Sequence, residues 1–466
     1  MAAVSSNRSS VSTEKGACVS TVAATENPPE AQANAGGAGE VRWNPLTRIV
    51  FRFCFVYFGL FCLAIPQIPL QYVGWFETWL PPRAGLWEMQ QLEPALGWVG
   101  RTVFGVNPRV NGGGSGDQAI FWVLLFCVLV IAVLATAAWT LLDRRRSDYR
   151  PLAGWFLLFV RLCLGGQMFT YGFAKLIPTQ MTQPLWTLVE PYGNFSLMSV
   201  LWNQVGASQP YEMLLGVAEV LAGVMLFIPR TALVGAMLAL VDLAQVFVLN
   251  MTFDVPVKLL SSHLLLLSLL LLAPEARRLV TVLVLGRDGG PSTAPYPFRT
   301  PRSRRIGALA QVVAGLWLLV GNVHTHLWEW HEIGSARAKP PLYGVWTVSQ
   351  FTRDGQELPP LLTDQTRWRR VVFDYPGLLT YQRMDDTLVN VLDTVDPRAH
   401  RMVLTTATPP PKPVGALTFQ QPAPDKAVLT GELDGHRVTM SLERDDIDRL
   451  PLRSTGFHWV QEVPHR

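Results

Sequence analysis

Seven segments of this chain, at approximately 48–65, 119–142, 152–174, 211–229, 231–250, 257–273 and 306–323, are almost entirely apolar. Each has roughly the 17 to 25 residues an α-helix needs to cross ~30 Å of hydrocarbon. Lipid offers no partner to an unpaired backbone amide, so such runs are expected to cross as helices packed in a bundle. Pro229 and Arg230 alone separate the fourth from the fifth, which makes those two an antiparallel pair. The 16 Trp gather near the ends of the runs, where amphipathic rings settle at the headgroup level. With 49% hydrophobic and 16% charged residues the composition excludes a disordered chain, and a formal charge of only +4 argues against a nucleic-acid partner.

Basic residues cluster beside every second loop. Arg42, Arg48 and Arg52 enter the first run; Arg144, Arg145, Arg146 and Arg150 link the second to the third; Arg230 links the fourth to the fifth. Arg277, Arg278, Arg287, Arg299, Arg302, Arg304 and Arg305 link the sixth to the seventh. Basic loops stay on the cytoplasmic side and favour anionic lipid headgroups. The expected arrangement is a multi-pass protein of the bacterial inner membrane, N-terminus cytoplasmic and C-terminal segment extracytoplasmic. Residues 1–40, rich in Ala, Ser, Thr, Asn and Gly, read as a disordered tail without a signal-peptide core. The Trp-rich connections 66–118 and 176–209 read as interfacial segments on the outer face.

Ionisable residues inside spans cost at least ~2.5 kcal/mol each at a helix centre, so they are functional candidates. Arg161, Glu219, Asp242 and His263 lie nine to eleven residues from the cytoplasmic ends of the third to sixth runs. At ~1.5 Å per residue that places all four roughly 13 to 17 Å deep. The expectation is one buried cluster near the bilayer midplane. Glu212 lies a double turn before Glu219, and Gln245 follows Asp242 by three, which would extend a polar track. Two readings stay open: a cluster that fixes helix register, and one that moves protons for a redox partner.

Nearer the outer ends lie Tyr171 and Lys175 in YGFAKLIP, and Asn250, Asp254 and Lys258 in NMTFDVPVKLLSSH. These read either as interfacial anchors or, with Glu212, as a pocket mouth, Asp254 and Lys258 pairing with Lys175 or with each other. HTHLWEWHE, with His324, His326 and His331, holds no i,i+4 histidine pair and reads as an interface segment, so no metal is expected. The cysteines Cys18, Cys54, Cys62, Cys127 and Cys163 include no CxxC, which argues against dithiol chemistry.

From about residue 340 the pattern changes to period-two alternation, as in Val438, Met440 and Leu442 against Thr439, Ser441 and Glu443. Candidate strands are 343–350, 368–374, 378–384, 388–394, 401–407, 415–420, 427–433 and 436–443, with Asp434-Gly435 a type I′ hairpin turn. This is a small all-β barrel or sandwich. Gly344-x-Trp346 resembles the opening of lipocalin-like barrels.

RLCLGGQMFTYGFAKLIP at Arg161–Pro178, the Glu-x-x-x-Gly of Glu219 and Gly223, and DVPVKLLSSHLLL from Asp254 resemble the DoxX family of four-helix membrane proteins. The resemblance covers 150–275. It implies redox association, since members are linked to quinone-coupled sulfur oxidation and to oxidative-stress complexes. The chain is thus expected to divide into the tail (1–40), two helices with an outer loop (41–150), a DoxX-like core (151–275), a basic loop and seventh helix (276–335), and an extracytoplasmic β domain (340–466). Two functions are carried forward. One is a redox-associated subunit holding a quinone or other lipid-soluble ligand, with Arg161 and Glu219 polarising it and His263 or Asp242 moving protons. The other is a non-catalytic scaffold or small-solute permease whose β domain binds a periplasmic or membrane protein partner.

Overall fold

The computed structural model describes residues 43–81 and 84–464. The tail expected over 1–40 lies outside the described residues. Seven helices among them are long and apolar enough to cross a membrane: Pro45–Ala64, Ala119–Leu142, Arg150–Leu176, Gln209–Phe227, Ala232–Thr252, Lys258–Leu283 and Pro301–Glu332. In chain order the α-helices are α1 (Pro45–Ala64), α2 (Gln67–Leu70), α3 (Trp87–Phe104), α4 (Ala119–Leu142), α5 (Arg150–Leu176), α6 (Leu197–Gly206), α7 (Gln209–Phe227), α8 (Ala232–Thr252), α9 (Lys258–Leu272), α10 (Ala276–Leu283), α11 (Pro301–Glu332) and α12 (Pro451–Ser454). The final span runs well past residue 323, so HTHLWEWHE forms the last turns of α11.

Small residues let the core helices touch. A Cβ on Gly216 of α7 would lie 2.4 Å from Leu176 N and 2.6 Å from Gly172 O, both backbone atoms of α5. Gly223, two turns on, meets Phe169 and Gly165 O in the same way. In lipid, close van der Waals packing of this kind is what holds helices together. Gly235 brings α8 against α7 at Ala222 and Leu226. Arg52 of α1 is buried near the opposite end, donating to Thr140 Oγ1 (2.9 Å), Asp143 O (2.8 Å) and Tyr149 Oη (3.0 Å), and so ties α1 to α4 and to the start of α5. The segment after α1 runs through α2 into a 3-10 stretch, Gln71–Trp79, laid across α5 and α11. Gly74 there adopts φ +59°, and its backbone lies where a Cβ on Gly321 of α11 would fall. Trp75, Trp79, Trp87 and Trp98 of this connection are exposed.

The C-terminal strands are β1 (Gly344–Arg353), β2 (Gln356–Glu357), β3 (Trp368–Tyr375), β4 (Leu378–Arg383), β5 (Leu388–Asp396), β6 (Arg401–Thr406), β7 (Pro413–Ala423), β8 (Lys426–Leu433) and β9 (His436–Arg444). All neighbours are antiparallel, and β1 pairs with both β3 and β9, which closes an eight-stranded barrel with β2 as a short arm on β1. Asp434 and Gly435 both have positive φ (49° and 79°), the backbone a type I′ turn requires. Trp346, Phe351, Val371, Leu379, Leu404, Leu417, Leu429 and Met440 fill the interior, so the barrel is packed as a core rather than hollowed as a container.

The barrel is docked on the α5–α6 connection, at the end of the bundle opposite Arg144–Arg146. Leu185 packs with Val345 and Val372, its N–H donates to Asp374 Oδ2 (2.7 Å), and Gln382 Nε2 donates to Val189 O (3.0 Å). Arg337 pairs with Asp374 and stacks on Tyr375. Burial pushes the Asp374 carboxyl above its ordinary 3.8, against the pull of the Leu185 N–H and the Arg337 guanidinium. The folded state therefore binds more protons than the unfolded one just above that value, and this group's stabilising contribution falls as pH rises through the window. Proteolysis of the 183–196 connection should accelerate as pH rises above the ordinary 3.8 in the wild type, and the Asp374→Asn variant should lose most of that dependence.

Candidate functional site

Helices α5, α7, α8 and α9 enclose a cavity of about 270 Å³, roofed at the barrel-side end by α6 and the residues around Met181. Its walls are mostly apolar, with Tyr171, Lys175, Gln180, Glu219, Asp242 and Asn250 among the polar groups that line it. The α5–α7 contact at Gly172 and Gly216 sets the central pair. Lys175 Nζ lies 2.7 and 2.8 Å from the two Glu219 oxygens, both side chains more than nine-tenths buried. Asp242 Oδ2 and Asn250 Nδ2, on consecutive parts of α8, are buried with no hydrogen-bond partner among the described residues. Such groups are costly unless something meets them. The cavity thus presents an ion pair, two orphan acceptors, Asp242 Oδ2 and Gln180 Oε1, and one orphan donor to whatever occupies it.

The four residues expected to share one cluster do not. Glu219 and Asp242 both face the cavity, whereas Arg161 and His263 face elsewhere. Phe227 packs where a Cβ on Gly165 would fall, so Arg161, a turn earlier, sits level with the α7–α8 turn. Glu219 is eight residues from Phe227, about 12 Å deeper. Arg161 makes no ion pair among the described residues, and Gly154, two turns before it, touches Tyr296 and Pro297 of the basic loop. The partner of Glu219 is Lys175, not Arg161. His263 points at α1: its Nδ1 lies 2.7 Å from Leu259 O and must donate to it, so in the neutral ring Nε2 accepts from Tyr57 Oη at 2.9 Å. The ring also stacks on Phe61. Both ring nitrogens are satisfied, which is a packing role.

Of the expected pocket-mouth residues, Tyr171, Lys175 and Asn250 line the cavity. Glu212 does not line it. It is buried, and its Oε1 accepts from Met181 N (3.0 Å), pinning the roof from the side. Asp254 and Lys258 pair with each other at 2.7 Å on the surface. Asp117, directly after the glycine-rich run 112–116, caps α9 by accepting from Lys258 N (3.0 Å) and Leu259 N (2.9 Å). Gln67, Gln71 and Gln167 were also missed. Their signal is faint but present: amides in otherwise apolar runs, two of them four residues apart.

Fold and site together define a class: a seven-span helical membrane protein with a polar-lined cavity in a four-helix core and a filled eight-stranded β-barrel at one end. Over 122 residues the chain is 32% identical to the uncharacterized protein YwoB of Bacillus subtilis (strain 168), covering 78% of that protein and 26% of this chain. The chain belongs to the family of YwoB. No family model matches it, and no solved structure matches it.

Proposed function

We propose that this is a DoxX-like, redox-associated membrane subunit of the bacterial cytoplasmic membrane that binds a lipid-soluble, quinone-like ligand in the α5–α9 cavity. In this reading the arginine-rich loops are cytoplasmic and the barrel extracytoplasmic. The observation that carries it is the cavity wall, where Asp242 Oδ2 and Asn250 Nδ2 are buried without partners beside the Lys175–Glu219 pair. An apolar cavity with a few convergent polar groups suits a ring-sized ligand whose oxygens accept hydrogen bonds when oxidised and donate them when reduced. Asp242 is the group that exchanges a proton with it, and Lys175 and Glu219 polarise it. At about 270 Å³ the cavity holds a head group, leaving any hydrocarbon tail to the lipid.

The test is to purify the protein in mild detergent, identify extracted small molecules by mass spectrometry, and record a difference absorption spectrum on adding reductant. A stoichiometric quinone-class molecule is expected in the wild type, reduced several-fold in Asp242→Asn. Recovery of phospholipid alone would sink this reading and favour the scaffold or permease. That alternative has its own support in the barrel, which grips the α5–α6 connection through Leu185 and Val189 and leaves its other faces open to a partner.

A further inference from the structure

A chain of amides enters the core from outside the four helices. Gln71 Nε2 donates to Cys163 O (3.4 Å), so its Oε1 is an acceptor, and it accepts from Gln167 Nε2 (2.8 Å). Gln167 Nε2 also reaches Gln67 O (3.3 Å), a backbone carbonyl that can only accept. Gln167 Oε1 therefore accepts, and its donor is Gln67 Nε2 (2.8 Å). The other hydrogen of Gln67 Nε2 goes to Tyr171 Oη (3.1 Å). Two backbone carbonyls thus set the direction of every bond in the series. Tyr171 Oη is an acceptor in the last of them, and no group among the described residues takes its own hydroxyl proton. Tyr171 lines the cavity. Space for the series is reserved by Gly166, where a Cβ would fall 2.4 Å from Gln71 Oε1.

We propose that the Gln71–Gln167–Gln67 series is a positioning device that holds Tyr171 as a hydrogen-bond donor into the cavity, to meet a carbonyl-type oxygen of the ligand. This rests on the reading that the cavity binds a ligand. It adds a direction to that reading: one ligand oxygen, an acceptor, faces α5 through Tyr171, while the opposite side of the ring faces α8 and Asp242. The glutamines lie on α2, the 3-10 stretch and α5, so the connection between α1 and α3 takes part in the site without touching the ligand.

The experiment is equilibrium dialysis of the full chain in nanodiscs against two probes with the same fused ring, menadione and 2-methylnaphthalene, which lacks the carbonyl oxygens. The wild type should prefer menadione, Tyr171→Phe should lower that preference about tenfold, and Gln67→Leu and Gly166→Ala should lower it partway. A packing defect alone weakens both probes equally. An equal loss for the two probes in Tyr171→Phe, or an unchanged ratio, overturns the assignment. Equal binding of both probes by the wild type overturns it too while leaving the cavity as a ligand site, whereas binding of neither overturns the ligand reading and this one with it.

Discussion

Replacing Lys175 by Met should lower the stability of the protein by about 3 kcal/mol, among the largest losses any single side chain here can cause. The substitution leaves Glu219 without the ammonium that now meets both its oxygens, in a place where each side chain is nearly inaccessible. Removing one member of a buried pair costs about 3 to 5 kcal/mol, because the other is left uncompensated. The lower end applies because polar groups within membrane bundles are worth less than hydrocarbon burial suggests, the unfolded chain in lipid also finding partners. The double variant Lys175→Met/Glu219→Leu should regain most of the loss, since a well-packed apolar pair of similar volume replaces such an ion pair nearly without cost. Thermal unfolding in detergent of the two singles and the double measures the coupling. If the double unfolds as readily as the singles, the pair is not what holds α5 to α7 at this level. Ligand retention separates structure from function, for the double variant should recover its fold and still fail to hold the ligand.

Gly216→Leu should abolish the folded state, and Gly216→Ala should cost about 1 to 3 kcal/mol, the range for forcing extra atoms into a packed core. The nearest atoms to the new Cβ are the Leu176 amide nitrogen and the Gly172 carbonyl, which cannot swing aside as a flexible side chain can. Helices α5 and α7 must separate, and the separation carries Lys175 away from Glu219. Gly59 of α1 is the control, because a Cβ there meets nothing within 4 Å, so Gly59→Ala should be neutral. Size-exclusion profiles and unfolding midpoints of the three variants check this. Equal behaviour of Gly216→Ala and Gly59→Ala would remove the α5–α7 contact from the account of the site.

Much of the architecture was legible because its physics is local. Crossing helices require runs of a certain length, and the seven runs were found where the seven helices lie. Alternation in residues 436–443 put Val438, Met440 and Leu442 inside the barrel, as observed. Asp434-Gly435 marked its turn because few residues accept two successive positive φ angles. Barrel and sandwich could not be told apart from the chain, because closure depends on β1 pairing with both β3 and β9, a contact between the two ends of the domain.

The candidate site divides along the same line. Glu219 and Asp242 face one cavity, since α7 and α8 are joined by a tight turn and share a starting level. Arg161 was misplaced because α5 spans 27 residues and α7 only 19. The longer helix begins well beyond the α7–α8 turn, so counting residues from each helix end compared different planes. His263 was misplaced in azimuth, a helix face being chosen by its neighbours as much as by its own period. The sequence by itself determined that this chain crosses a membrane seven times, that it ends in a β domain, and which polar residues lie within the apolar runs. Only the tertiary structure decided that Lys175 meets Glu219 and that three glutamines reach Tyr171. Backbone approaches at glycines set the offset between helices, and that offset selects which buried groups can touch.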